Sequence, residues 1–123
     1  MNIKLSRVLD YIKIFQSIID NEKDVQPLMK FKLLGYLKQL NPTMENFETI
    51  KNDLIIKYGK EDEEKGYSVN PEDKENWNDF LKEVESILDS EVDVDLPKFK
   101  AEEIMNAKIP SKYLMTIYDL IEE

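Results

Sequence analysis

The chain has no cysteine and no histidine. The first absence excludes a disulfide framework, a thiolate metal site and a cysteine nucleophile, and fits a reducing cytoplasm. The second removes the commonest general base and the commonest transition-metal ligand. Arg7 is the single arginine, so the residue most used to grip phosphate is nearly missing. The three glycines, Gly35, Gly59 and Gly66, lie far apart, and no glycine-rich phosphate loop can form from them. Apolar runs are only a few residues long, against the roughly 20 needed to cross a bilayer. The first residues also lack the apolar block of a signal peptide. No membrane contact is expected.

What remains is a chain of 123 residues with 41% hydrophobic content, enough for one modest core and so read as a single domain, 1–123. Its net charge of -9 repels nucleic-acid phosphates, so no direct nucleic-acid binding is expected. The charge is unevenly placed. Residues 1–59 carry nine basic and seven acidic side chains, a net of +2, whereas residues 60–123 carry eight and nineteen, a net of -11. An acidic half of this kind can dock a basic partner or simply keep a small protein soluble, and composition favours solubility.

The longest helical rhythm lies between Pro27 and Gly59. Leu33, Leu37, Leu40, Met44, Phe47, Ile50, Leu54 and Tyr58 recur in steps of three and four, one apolar stripe that keeps phase through Pro42. This predicts one long helix, kinked at Pro42, with Leu33, Leu40, Phe47 and Leu54 buried and Gly59 closing it in the left-handed conformation. Before it, Asn2 to Leu5 reads as a short strand, and Ser6 as the cap of an amphipathic helix whose face is Val8, Leu9, Ile12, Phe15, Ile18 and Ile19. After it, Lys60 to Gly66 reads as an exposed charged loop, and Tyr67-Ser68-Val69 as a short strand. Asn70-Pro71 then opens a helix carrying Trp77, Phe80, Leu81, Val84, Ile87 and Leu88. Val92 to Leu96 alternates like a half-buried strand that Pro97 confines to an edge. Ala101 to Asn106 suits a short helix, and Ser111 caps a last one with the stripe Leu114, Ile117, Tyr118 and Ile121. The fold class is therefore mainly α, close to the α+β border: a long kinked helix packed by shorter amphipathic helices, with a minor antiparallel β element.

Two acidic groupings invite a metal reading. With Gly66 as the sixth position of a calcium loop, Glu61, Glu63 and Lys65 fall at the first, third and fifth and Glu72 at the twelfth. The lysine ammonium opposes a cation there, so an ordinary charged loop is the better reading. Asp93 and Asp95 project from the same face of the expected strand, but the alternation with Val92, Val94 and Leu96 accounts for them as its wet side. No catalytic, cofactor or metal residue is assigned. Phe31, Tyr36, Ile55 and Ile56 fall off the main stripe of the long helix, giving it apolar surface on a second side that short elements, a second subunit or another protein must cover.

The order of certain features carries a resemblance. Leu54-Ile55-Ile56-Lys57-Tyr58-Gly59-Lys60 ends the long helix, and an acidic loop closes in Gly66-Tyr67. Then come Trp77-Asn78-Asp79-Phe80-Leu81-Lys82-Glu83, Val92-Asp93-Val94-Asp95-Leu96-Pro97 and a terminal Tyr113-Leu114 helix. Together they resemble a family of small phage and prophage proteins of unknown function, and Pro42 departs from the uninterrupted helix expected there. The resemblance implies a viral or prophage origin, the cytoplasm of a host bacterial cell or association with the virion, and no active-site residue. The leading expectation is a non-enzymatic accessory protein that binds a phage or host protein, or a second copy of itself, in virion assembly or host-process modulation. One alternative is an acidic nucleic-acid mimic that inhibits a host defence nuclease, and a further one is a carboxylate- or metal-dependent hydrolase. The candidate interaction surface comprises Phe31, Tyr36, Ile55 and Ile56 together with Glu61, Asp62, Glu63, Glu64, Asp93 and Asp95.

Overall fold

The computed structural model describes residues 2–62 and 66–122, without the side chain of Asp62. Helix α1 spans Leu5–Asn21 and α2 spans Pro27–Tyr58. They are joined by a short link in which Val25 is buried and Pro27 supplies the first turn of α2. Helix α2 is continuous through Pro42, as the unbroken stripe predicts. Proline lacks the N–H that would reach the carbonyl of Lys38, but Lys38 and Pro42 both face solvent, where water can serve that carbonyl.

Burial along α2 is uneven. Met29, Leu33, Tyr36, Leu37, Leu40 and Phe47 are buried, whereas Leu54 is only half-buried and Ile50 is exposed, so the stripe is covered more poorly in its second half than the spacing predicts. The reason is length. At about 1.5 Å per residue α1 covers about 26 Å while α2 runs about 48 Å. Beyond the reach of α1, α2 meets α3, Lys74–Asp89, whose mid-helix Glu83 lies 3.5 Å from Lys57 near the end of α2.

The expected loop after α2 is instead a hairpin. Strand β1, Asn2–Lys4, opens the chain, and β2, Lys60–Asp62, pairs antiparallel with β3, Gly66–Ser68. Residues 63–65 lie outside the described residues. Gly59 is not left-handed but extended, at φ -93° and ψ 175°. It is glycine for a different reason: a Cβ there would collide with the carbonyl oxygen of Ile55 and sit 2.7 Å from that of Ser68.

Three further boundaries move. Helix α1 starts at Leu5, with Lys4 rather than Ser6 at its cap. Asn70 and Pro71 form a turn in which the Asn70 side chain accepts from the Glu72 N–H. Helix α3 begins later, on Asp73, whose carboxylate accepts from the Asn76 N–H. The expected strand from Val92 to Leu96 shortens to β4, Glu91–Asp93, antiparallel to β1 with Ile3 opposite Val92. The apolar alternation still sets burial, with Val92 and Val94 half-buried and Leu96 buried.

The remaining elements are β5, Phe99–Lys100; α4, Ala101–Ala107; α5, Ser111–Ile117; a 3-10 turn at Tyr118–Leu120; and β6, Ile121–Glu122. Strands β5 and β6 pair in parallel, a contact that local pattern does not announce. Ser111 is the first residue of α5 rather than its cap, and the last buried positions are Tyr113, Ile117 and Leu120, with Tyr118 exposed because the chain tightens into the 3-10 turn there. The molecule is thus mainly α with minor β. Its core centres on the packed rings of Phe15, Tyr36 and Phe99, with Tyr36 and Phe99 4.8 Å apart. Among the described residues no helix is long and apolar enough to cross a membrane.

Candidate functional site

Several polar side chains tie distant parts of the fold together. Arg7 on α1 donates to the carbonyl of Thr116 at 2.6 Å and to Asp119 at 2.7 Å, and its guanidinium lies 5.0 Å from the centre of the Tyr11 ring. Tyr11 donates to the other oxygen of Asp119 at 2.8 Å. Burial, and then the Asp119 contact, pushes the Tyr11 hydroxyl up to about 12. Burial works against ionisation of Asp119, but the hydrogen bonds from Arg7 and Tyr11 outweigh it and hold the carboxyl below its ordinary value. This cluster ties the end of the chain to α1. A second tie joins Tyr113 to Glu22 at 3.2 Å, with Lys112 3.7 Å from the same carboxylate. Among the described residues, no group of three or more acidic side chains is arranged to hold a metal ion.

Among the described residues nine large apolar side chains are exposed, and five of them lie on two faces, the others being Ile50, Ile56, Tyr67 and Met105. On α2, Leu28, Phe31 and Leu34 are 78%, 75% and 50% exposed. Their spacing puts them on the side away from Leu33, Leu37 and Leu40, with Phe31 pointing directly outward. Beside them a cavity of about 470 Å³ opens between Leu28, Phe31 and Lys32 of α2 and Glu103, Asn106 and Ala107 of α4. One of its walls is fixed by the Lys32 ammonium, which lies 2.7 Å from Glu103 and 5.0 Å from the centre of the Phe99 ring. On α5 and the turn after it, Met115 and Tyr118 are among the most exposed large apolar residues and line, with Leu114, a second cavity of about 410 Å³.

The residues expected at an interaction surface separate accordingly. Phe31 and Ile56 are exposed, and Ile55 is half-buried. Tyr36 is a correction: it is 4% exposed, packs on Phe15 and Phe99, and donates its hydroxyl to the carbonyl of Pro97. It lies off the linear stripe because the buried arc of α2 is wide enough to meet α1 and the Pro97–Phe99 segment at once. Burial first, and then the Glu103 charge, pushes its hydroxyl up to about 12. Glu61 is exposed in β2 opposite Tyr67, and the backbone of Asp62 pairs with Gly66. Glu63 and Glu64 lie outside the described residues. Asp93 ends β4 and Asp95 lies beyond it, both exposed, so the two do not share the single strand expected of them.

Leu28, Leu34 and Met115 were not foreseen. The first two were legible by the criterion that marked Phe31, since both are out of phase with the buried stripe. Comparison of the chain with models of known protein families, with curated proteins and with solved structures finds no match.

Proposed function

We propose that this protein is a small accessory protein, of the phage or prophage kind its sequence resembles, that works by binding another protein rather than by chemistry. The observation that carries this reading is that five of the nine large apolar side chains exposed among the described residues lie on two faces: Leu28, Phe31 and Leu34 on α2, and Met115 and Tyr118 on and after α5. Contiguous apolar surface in water is costly and marks a contact face. The fold does not depend on these side chains, so they can be changed without removing core.

The test compares capture of partners from phage-infected cells by the wild-type protein, by Phe31→Glu and Met115→Glu/Tyr118→Glu, and by a charge-reversed form in which Glu61, Asp93 and Asp95 become lysine. The expected result is a discrete partner retained by the charge-reversed form and lost with either apolar variant. A partner that ignores the apolar substitutions, vanishes on charge reversal and weakens steeply with salt would overturn the reading in favour of a nucleic-acid mimic.

A further inference from the structure

Residues 25–44 form the longest run of the chain without an acidic residue, and with Lys30, Lys32 and Lys38 they carry a net of +3 in a molecule of net -9. The Lys32 ammonium is held by Glu103 at 2.7 Å. Lys30 and Lys38 have no carboxylate partner among the described residues. Lys30, Leu34 and Lys38 recur every four residues, so they form one row along α2, with the two lysines about 12 Å apart, beside the exposed Leu28 and Phe31. Gly35 lies exposed in the same face, and a Cβ built on it would meet nothing within 4 Å. Glycine there weakens the helix relative to alanine and leaves bare backbone among the apolar side chains, where a second helix can lie close.

From this geometry we infer that the outward face of α2 binds an acidic amphipathic helix of another protein, whose apolar stripe lies on Leu28, Phe31 and Leu34 and whose carboxylates meet Lys30 and Lys38. The inference rests on the reading that the apolar faces are contact surfaces, and it names the class of partner for one of them. Charge selects the occupant. A second copy presenting the same face would set the positive run against itself, whereas carboxylates complement it. An anionic bilayer is repelled by the net charge of -9, and a fluid surface makes no use of a shaped recess. The cavity of about 470 Å³ between Phe31 and α4 is such a recess, and it can seat apolar side chains of a partner helix against Leu28 and Ala107. On that flank Glu103 is already paired with Lys32, so the carboxylates belong on the opposite flank, along the Lys30 and Lys38 row.

The size of the face sets the strength of the contact. Leu28, Phe31 and Leu34 expose roughly 400 Å² of side chain, about half of the roughly 800 Å² per partner of a stable interface. The contact therefore belongs to the transient class, with a Kd of about 10 μM at low salt. From Pro27 to Pro42 the face runs about 22 Å, the length of a partner helix of about four turns. Acidic residues seven or eight positions apart on that helix match the spacing of Lys30 and Lys38.

The test sorts a displayed random library of peptides about 16 residues long on the purified protein and counter-sorts it on Phe31→Glu/Leu34→Glu. Peptides that depend on the intact face should be net negative and helical in pattern, with acidic residues seven or eight apart beside an apolar stripe. In fluorescence anisotropy at about 50 mM salt, the most enriched peptide should bind Lys30→Glu/Lys38→Glu about 10-fold or more weakly than wild type. Lys30→Arg/Lys38→Arg should retain it, Met115→Glu/Tyr118→Glu should not affect it, and circular dichroism should stay native in every variant. Neutral or basic peptides that depend on Phe31 would overturn the acidic partner and leave the apolar contact face standing. No enrichment dependent on Phe31, or acidic peptides that survive the reversal of both lysines, would also overturn the inference. Flotation with vesicles of phosphatidylethanolamine and phosphatidylglycerol that is lost in Phe31→Glu would replace the partner helix by a bilayer, and a dimer in sedimentation equilibrium lost in the same variant would replace it by a second copy.

Discussion

Arg7 shows how much one side chain can organise when its type is scarce. Its guanidinium reaches Thr116 and Asp119, more than a hundred residues away in sequence, and so closes the C-terminal elements onto α1. The Arg7 and Asp119 side chains are 34% and 53% exposed, so solvent screens the charge pair and it contributes about 0.2–1 kcal/mol. With the Thr116 bond included, Arg7→Ala should cost about 1–2 kcal/mol in urea unfolding at neutral pH. Lysine at position 7 should recover only part, because it cannot reach both acceptors with one fork. The Asp119 carboxyl titrates below its ordinary value of 3.8. Its contribution is therefore complete above that value and disappears as pH falls through the lowered one. The stability difference between wild type and Arg7→Ala should accordingly narrow as pH falls below the ordinary carboxylate range. A gap that stays constant would mean that Asp119 takes no part.

Helix α2 couples local chemistry to uneven stability. Pro42 removes one backbone hydrogen bond and strains the preceding turn, a cost its solvent-facing position reduces without abolishing. Pro42→Ala should raise stability by about 1–3 kcal/mol, measured by urea midpoint. A loss instead would show that the ring makes a contact worth more than the missing bond. The same helix should exchange amide hydrogens unevenly. Leu33 to Leu40, packed on α1, should be protected far longer than Ile50 to Tyr58, where large side chains are half-buried or exposed.

At the scale of the molecule, Phe15 joins the elements. It is fully buried on α1 and packs on Tyr36 of α2 and Phe99 of β5, elements remote in sequence. Phe15→Ala should cost about 3–5 kcal/mol, a large share of the about 5–15 kcal/mol available to a domain of this size. Trp77, the single tryptophan, lies on α3 away from that cluster. If the chain unfolds as one cooperative unit, Trp77 fluorescence and far-ultraviolet circular dichroism will report the same midpoint in the variant. Two separated transitions would show that α3 and the hairpin form a weaker unit of their own.

The amino-acid order by itself determined the helices, because helical periodicity is a local property: the stripe from Leu33 to Phe47 and the face from Val8 to Ile18 fix which sides are apolar wherever the helices end up. It also marked Phe31 and Ile56 as apolar residues out of phase with a core. Tertiary structure decided what periodicity leaves open, namely which apolar arc a neighbour reaches. Tyr36 and Phe31 both lie off the linear stripe, yet Tyr36 is buried because Phe15, Phe99 and the Pro97 carbonyl converge on it, while Phe31 stays 75% exposed among the described residues. Leu54 belongs to the stripe and is only half-buried because α1 is too short to follow α2 that far. The parallel pairing of β5 with β6 and the Arg7 tie to Asp119 join residues whose sequence separation hides them from any local pattern. Burial is a relation between elements, so the stripe carried one side of it and the packing of α1, α3 and the C-terminal elements supplied the other.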